Sequence, residues 1–213
     1  MRKSCSALSF AFLITLIACN GGTPAKPSPS GAPAKKEEPA APVAYTGREG
    51  FQKMYAAAHL WAPDARPYRL ESSPFKDFTG KDGKAVIWRS GFASAARRSI
   101  KAFVLSGAHS DDAPSLGVSS GVEDTYSPSN SSTQVFDPSF LKVDSDKALE
   151  AAQKHGGEKL FKQNPQQPVV YLLDWSPREN ILTWHVIYGS SQADARLRVA
   201  VNASTGAFER VEK

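Results

Sequence analysis

Apolar and polar positions alternate with a period of two over most of the last third of the chain. Leu182, Trp184, Val186 and Tyr188 interleave with Ile181, His185 and Ile187, and Leu197, Val199 and Val201 interleave with Arg196 and Arg198. That spacing puts successive side chains on opposite faces of a strand and predicts strands over 181–188 and 196–201. A tight turn at Asn202 to Gly206 should follow. Asn hydrogen-bonds its own backbone and tolerates the left-handed region, and Gly206 enters it without a Cβ clash. A closing strand completes the pattern. Just upstream, Val169, Tyr171, Leu173 and Trp175 oppose Val170 and Leu172, which predicts a strand over 168–175, and a Ser-Pro-Arg-Glu-Asn turn leads on from it.

Elsewhere the period is helical. Thr46 with Glu49 reads as a capping box, each satisfying the other's free backbone donor. Phe51, Met54, Tyr55, Ala58 and Trp61 or Ala62 then recur on one face, until Pro63 pushes its predecessor out of the helical region. A helix over 47–62 is expected. A second is expected from Asp144, whose carboxylate suits the first turn. Ala148, Leu149, Ala151 and Ala152 form its apolar side, and Gly156-Gly157 its stop. Between the two helices, strands are predicted over 67–72, 85–92 and 99–106, with hairpin turns at Asp82-Gly83 and Arg97-Arg98. Residues 107–138 are rich in Ser, Asp, Gly and Pro, and only one short strand, near 133–136, is expected there.

The two halves therefore match as helix, strand, strand, strand, with Trp88 and Trp184 in the middle strands. One helix across a small antiparallel sheet buries both apolar faces. A single such unit has too little core, and two together approach a secure size. The expected fold class is α+β: two tandem units, each a helix plus a three- or four-stranded antiparallel sheet, behind a disordered Pro-rich linker. The expected divisions are 1–18, 19–45, 46–107, 108–140 and 141–213. Over about 144–213, the alanine-bearing helix, the Trp184-His185-Val186 strand and the run Leu197-Arg-Val-Ala-Val-Asn-Ala-Ser-Thr-Gly206 resemble a PepSY domain. Asn202 stands where that family usually has Asp. Over 47–106 the likeness is topological. The resemblance implies an exported, non-enzymatic module, seen in propeptides of secreted peptidases and in envelope lipoproteins, which inhibits a protease or binds a protein. It carries over no functional residue, because the matching positions belong to turn and core.

The N-terminus changes the picture of address. Arg2 and Lys3 precede an apolar run that ends at Leu16-Ile17-Ala18-Cys19, too short to span a bilayer comfortably. This resembles a bacterial lipobox, which implies cleavage before Cys19 and acylation of its sulfur. The other reading of these residues is an ordinary signal peptide or an uncleaved anchor. Asn20 after the Cys favours the outer membrane over the inner, and a periplasm-facing position in a bacterial envelope. With residues 1–18 gone, 24 basic residues face 21 acidic ones and the formal charge falls from +5 to +3. That mild balance gives no reason to expect nucleic acid as a partner. Cys5 leaves with the signal and Cys19 is acylated, so no thiol remains for a disulfide, a metal or catalysis. The Pro- and Ala-rich linker of ~25 residues could reach ~70 Å at ~3 Å per residue.

Candidate chemistry is sparse. His59, His109, His155 and His185 are scattered, and His185 reads as a surface or half-buried strand residue. No nucleophile elbow, phosphate loop or zinc-protease motif is present. Asp111-Asp112 and Glu123-Asp124 read as solvated loop charge, with joint cation binding as the alternative. No catalytic residue, metal or cofactor is expected, and the chain is not expected to be an enzyme. Arg89, Arg97, Arg98, Lys101, Arg196 and Arg198 are the candidate partner-binding residues, on one basic face if the sheets are contiguous. The expected partners are the membrane, through the anchor, and an envelope protein or peptide, including a secreted peptidase to be modulated. The alternative is a small-ligand carrier or sensor, with loop 107–138 folding over a cleft between the two units.

Overall fold

A computed structural model describes residues 41–212; Cys19, the signal segment and most of the linker lie outside the described residues. The first helix, α1 (Gly47–Trp61), starts at the expected capping box. Thr46 Oγ1 accepts from the Glu49 amide at 3.3 Å, and Glu49 Oε2 accepts from the Thr46 amide at 2.9 Å. Ala62, ahead of Pro63, is already extended. A short ribbon of β1 (Tyr45–Thr46) with β3 (Lys84–Ala85) flanks this end of the helix. The main sheet contains β2 (Arg66–Ser73), β4 (Ile87–Ser94), β5 (Ser99–Ser106), β6 (Gly117–Thr125), β7 (Val169–Ser176), β8 (Ile181–Tyr188), β9 (Leu197–Asn202) and β10 (Phe208–Glu212). Its eight strands run β10-β9-β8-β7-β2-β4-β5-β6, antiparallel throughout.

The two expected sheets are thus one. They join through β2 and β7, where Arg69, Leu70 and Glu71 pair with Asp174, Leu173 and Leu172. The helices α1, α2 (Ser145–Ala152) and α3 (Glu158–Gln163) share one core with one face of the sheet. Trp88, Tyr171 and Trp184 meet at the centre of that core, with ring centroids 6.1–6.5 Å apart and Trp88 edge-on to Trp184. All three are almost fully buried, so the cleft expected between the halves is filled with aromatic rings. Each indole also serves a helix start. Trp88 Nε1–H donates to the Tyr45 carbonyl and Trp184 Nε1–H to the Val143 carbonyl, both at 2.9 Å and both two residues ahead of a helix.

The helix starts touch each other as well. The Gly47 amide donates to Ser145 Oγ at 2.8 Å and the Arg48 amide to Asp144 Oδ1 at 2.9 Å, so α2's first residues cap α1. Ser145 Oγ–H in turn donates to the Gly83 carbonyl at 2.6 Å. Gly83 lies in the left-handed region (φ 79°), and a Cβ there would sit 2.3 Å from the Asp146 Cα, so the expected glycine turn is also a packing requirement.

Two further expectations fail. The polar stretch 107–138 holds the nine-residue strand β6, while 133–136 forms no strand and instead buries Phe136 beside Phe51. β6 pairs with β5 along its backbone and buries little side chain, so no apolar alternation announced it. The second helix is broken at Gln153–Gly157, where Gly156 has φ 113°, and resumes as the unexpected α3. Gly156-Gly157 interrupts the chain's helical path but does not end it.

Candidate functional site

The sheet face opposite the helices carries charge. Across it, Leu172, His185, Ala200 and Arg210 are cross-strand neighbours on β7, β8, β9 and β10. Ala200 offers only a methyl, which leaves room for the long side chains of β10 to lie over β9. His185 Nδ1 is 2.8 Å from Glu212 Oε2, and its Nε2 is 3.1 Å from Asp174 Oδ1. Around them Arg198 pairs with Glu212 at 3.3 Å, and Arg210 bridges Glu212 at 3.1 Å and Glu179 at 3.2 Å. Three cations therefore meet three carboxylates.

His185 is 7% exposed, which corrects the expectation of a surface or half-buried residue. Burial works against its charge, but hydrogen bonds to Asp174 and Glu212 outweigh that and raise its pKa to about 9. Burial likewise opposes ionisation of Glu212. The His185 hydrogen bond and the neighbouring cations prevail and hold it below the ordinary carboxylate value. An imidazolium donating from both nitrogens has no lone pair with which to take a further proton. Its two carboxylates are each engaged by a different ring nitrogen. Among the described residues no group of three or more His, Cys, Asp or Glu is arranged to hold a metal.

The six expected cations are not brought together. Arg97 and Lys101 flank Trp61, 5.6 and 5.9 Å from its ring, and share Glu123 at 3.6 and 4.0 Å. Trp61 Nε1–H donates to the same Glu123 at 2.8 Å. Arg98 is at the hairpin tip in the left-handed region (φ 54°). Arg89 faces Glu71 across strands on the open face, and Arg198 belongs to the His185 network. Arg196 leads into β9, its amide donating to the Tyr188 carbonyl. β4 and β9 are four strand steps apart in the sheet order, roughly 19 Å.

The remaining histidines are packed or peripheral. His59 lies against Tyr55, with ring centroids 4.1 Å apart, and His155 stacks on Phe208 at 3.6 Å. His109 lines an open cleft of about 680 Å³ with Phe75 and Leu116. Asp112 pairs with Lys76 near that cleft, whereas Glu123 and Asp124 sit at the far end of β6, so the two acidic pairs do not meet.

The sheet's two ends differ. β10 has five residues and a register shift, and its Arg210 and Glu212 are drawn into the ionic network. Such features blunt an edge. β6 has nine residues, Gly-Val-Ser-Ser-Gly-Val-Glu-Asp-Thr, with neither Pro nor Lys, and one register shift near Gly121. Of eight exposed large apolar side chains among the described residues, two lie on it, Val118 (38%) and Val122 (90%), and Leu116 (61%) directly precedes it. Sequence reading missed this edge because the segment looks like a loop, and missed the His185 network because its members are spread over four strands and a turn between Asp174 and Glu212.

No family model matches the chain, and no curated protein matches it. A solved structure of a candidate lipoprotein from Clostridium difficile 630 is similar to it with a TM-score of 0.49 and 12% identity, over 76% of this chain and 91% of that one. A likeness of that degree leaves function to be argued from the chain's own residues. Among the described residues no helix is long and apolar enough to cross a membrane.

Proposed function

We propose that this protein is a non-enzymatic binding module of the bacterial cell envelope, anchored through an acylated Cys19, which takes an extended segment of a partner protein as a ninth strand beside β6. The anchor reading rests on the Leu16-Ile-Ala-Cys19 motif. The binding reading rests on one observation: β6 ends the sheet with a nine-residue backbone edge that carries the exposed Val118 and Val122, with exposed Leu116 just ahead of it. Added strands gain main-chain hydrogen bonds from such an edge and specificity from alternate side chains. Modulation of a secreted peptidase is one form of this activity, with the peptidase's own extended segment as the added strand.

We also read the two halves as diverged copies of one helix-plus-meander unit of PepSY type. The equivalent Trp88 and Trp184 bonds to residues just ahead of α1 and α2 support this.

Two measurements test the proposal. Cys19→Ser should move the protein from the membrane to the soluble fraction of the native host; an unchanged membrane fraction sinks the anchor. In intact cells, a photo-crosslinking residue replacing Val122 should give a discrete adduct that one replacing Glu150 on α2 does not give. Equal yields from both positions, or no adduct at either, sink the edge.

A further inference from the structure

The exposed side of α2 forms a concave pocket of about 450 Å³ with Arg48 at the start of α1 and the β9–β10 turn at Thr205-Gly206. Its walls carry Arg48, Lys142, Lys147 and Lys154. Two carboxylates also line it, and both are committed. Asp144 Oδ1 accepts from the amides of Arg48 and Ser145 at 2.9 and 2.7 Å, and Glu150 pairs with Lys147 at 2.6 Å. Arg48, Lys142 and Lys154 make no salt bridge among the described residues. Arg48 Nη1 donates to the Lys142 carbonyl at 3.3 Å, which holds the guanidinium at the pocket wall with its other N–H groups left over.

We infer that this pocket binds a phosphate-type oxyanion, carried by free phosphate or by the headgroup of an anionic phospholipid. Arg48, Lys142 and Lys154 share the hollow with Asp144 as the one carboxylate not already paired with a lysine, and an oxyanion relieves the remaining repulsion while accepting from several donors. A guanidinium beside two ammonium groups suits a tetrahedral group of oxygens better than a single carboxylate. The phospholipid source follows from position and rests on the Cys19 reading. Arg48 is seven residues from Ala41, where the described chain begins, so the pocket lies within roughly 25 Å of the point from which the chain runs back toward the anchor. The site is separate from the β6 edge, and its members lie up to 158 residues apart in sequence, which hid it from the reading of the chain.

The test uses the full mature chain with Cys19→Ser, so that no acyl chain contributes to binding. Inorganic phosphate is titrated with backbone amide shifts as the readout, and flotation is measured with vesicles of phosphatidylcholine alone or with 30% phosphatidylglycerol. Lys142→Ala/Lys154→Ala is the disabling variant, and Lys159→Ala, on the exposed side of α3, is the control. Both changes are at exposed side chains and should leave Tm unaltered. The expected result is saturable shifts at Arg48, Lys147 and Gly206, or flotation that requires phosphatidylglycerol, each weakened at least tenfold by the double variant and less than twofold by the control. Phosphate shifts without flotation assign the site to a free oxyanion, and flotation without phosphate shifts assigns it to the lipid. Absence of both, or an equal loss with Lys159→Ala, overturns the inference. The phosphate arm stands whether or not Cys19 carries a lipid.

Discussion

The most quantitative prediction concerns the imidazolium of His185. Its pKa rises from 6.5 to about 9 on folding. Because the folded value exceeds the unfolded one, the stabilisation is fully present below about pH 6.5 and is lost as pH rises through 9. By linkage that difference amounts to about 3 kcal/mol, a large share of the ~5–15 kcal/mol that holds a typical domain together. The groups facing the ring are Asp174 on β7, and Glu212, Arg198 and Arg210 across β9 and β10. Once His185 is neutral, one ring nitrogen turns an acceptor toward a carboxylate oxygen and that hydrogen bond is lost.

The assay is urea unfolding at intervals between pH 6 and 10, on the wild type and on His185→Gln, which keeps an amide but cannot titrate. The wild type should lose about 3 kcal/mol across that interval and the variant less than about 1 kcal/mol. Burial also raises Tyr68, Tyr171 and Tyr188 in the fold, so each adds a loss as the unfolded phenols ionise near pH 10, but equally in both proteins, and the difference between the two curves reports His185. Parallel curves for the two proteins, or a wild type whose stability does not change with pH, would refute the doubly bonded imidazolium.

Three further outcomes are expected. Ser145→Ala leaves the Gly47 amide and the Gly83 carbonyl without their buried partner, and should cost about 2 kcal/mol in denaturant unfolding. Gly157→Ala would set a Cβ 1.8 Å from the Tyr188 hydroxyl, and overpacking there should cost about 1–3 kcal/mol by the same measurement. Val122→Lys removes an apolar group that is 90% exposed; it should leave Tm within about 1 °C while abolishing the adduct formed from residue 118, read by the same in-cell cross-linking.

Legibility in the sequence followed burial. Where one face of an element is buried, apolar spacing revealed it: α1 and strands β4, β5, β7, β8 and β9 stand where the periodicity puts them, and the Thr46–Glu49 box starts α1. β6 was invisible because its stability comes from the β5 backbone, and Ser119, Ser120 and Gly121 carry no pattern. α3 was invisible because nothing local says that a helix will resume after Gly156-Gly157; Tyr188 and Phe161, packed 5.4 Å apart, supply the reason from another element. The fusion into one sheet depends on the β2–β7 pairing, a contact across about a hundred residues that no local spacing encodes. The charged residues were visible one by one, but their grouping was not, since it depends on which small residue, Ala200, lies between them.

That grouping decides between the two binding surfaces open to such a sheet. On the open face the cations of the His185 cluster already have partners: Arg198 and Arg210 hold Glu212 and Glu179, and His185 holds Asp174 and Glu212. A protein docking there must desolvate these pairs or replace them one for one, and a pair broken in a buried setting leaves an uncompensated charge that costs several kcal/mol. The edge of β6 asks for no such exchange. No strand pairs with its outer side among the described residues, and Val118 and Val122, both exposed, gain by leaving water. Each added main-chain bond is worth only about 1 kcal/mol net, so a partner needs several in register together with the apolar contacts before it binds firmly. The nine residues of β6, with one register shift near Gly121, offer more such bonds than the five of β10, which are folded back into the ionic network.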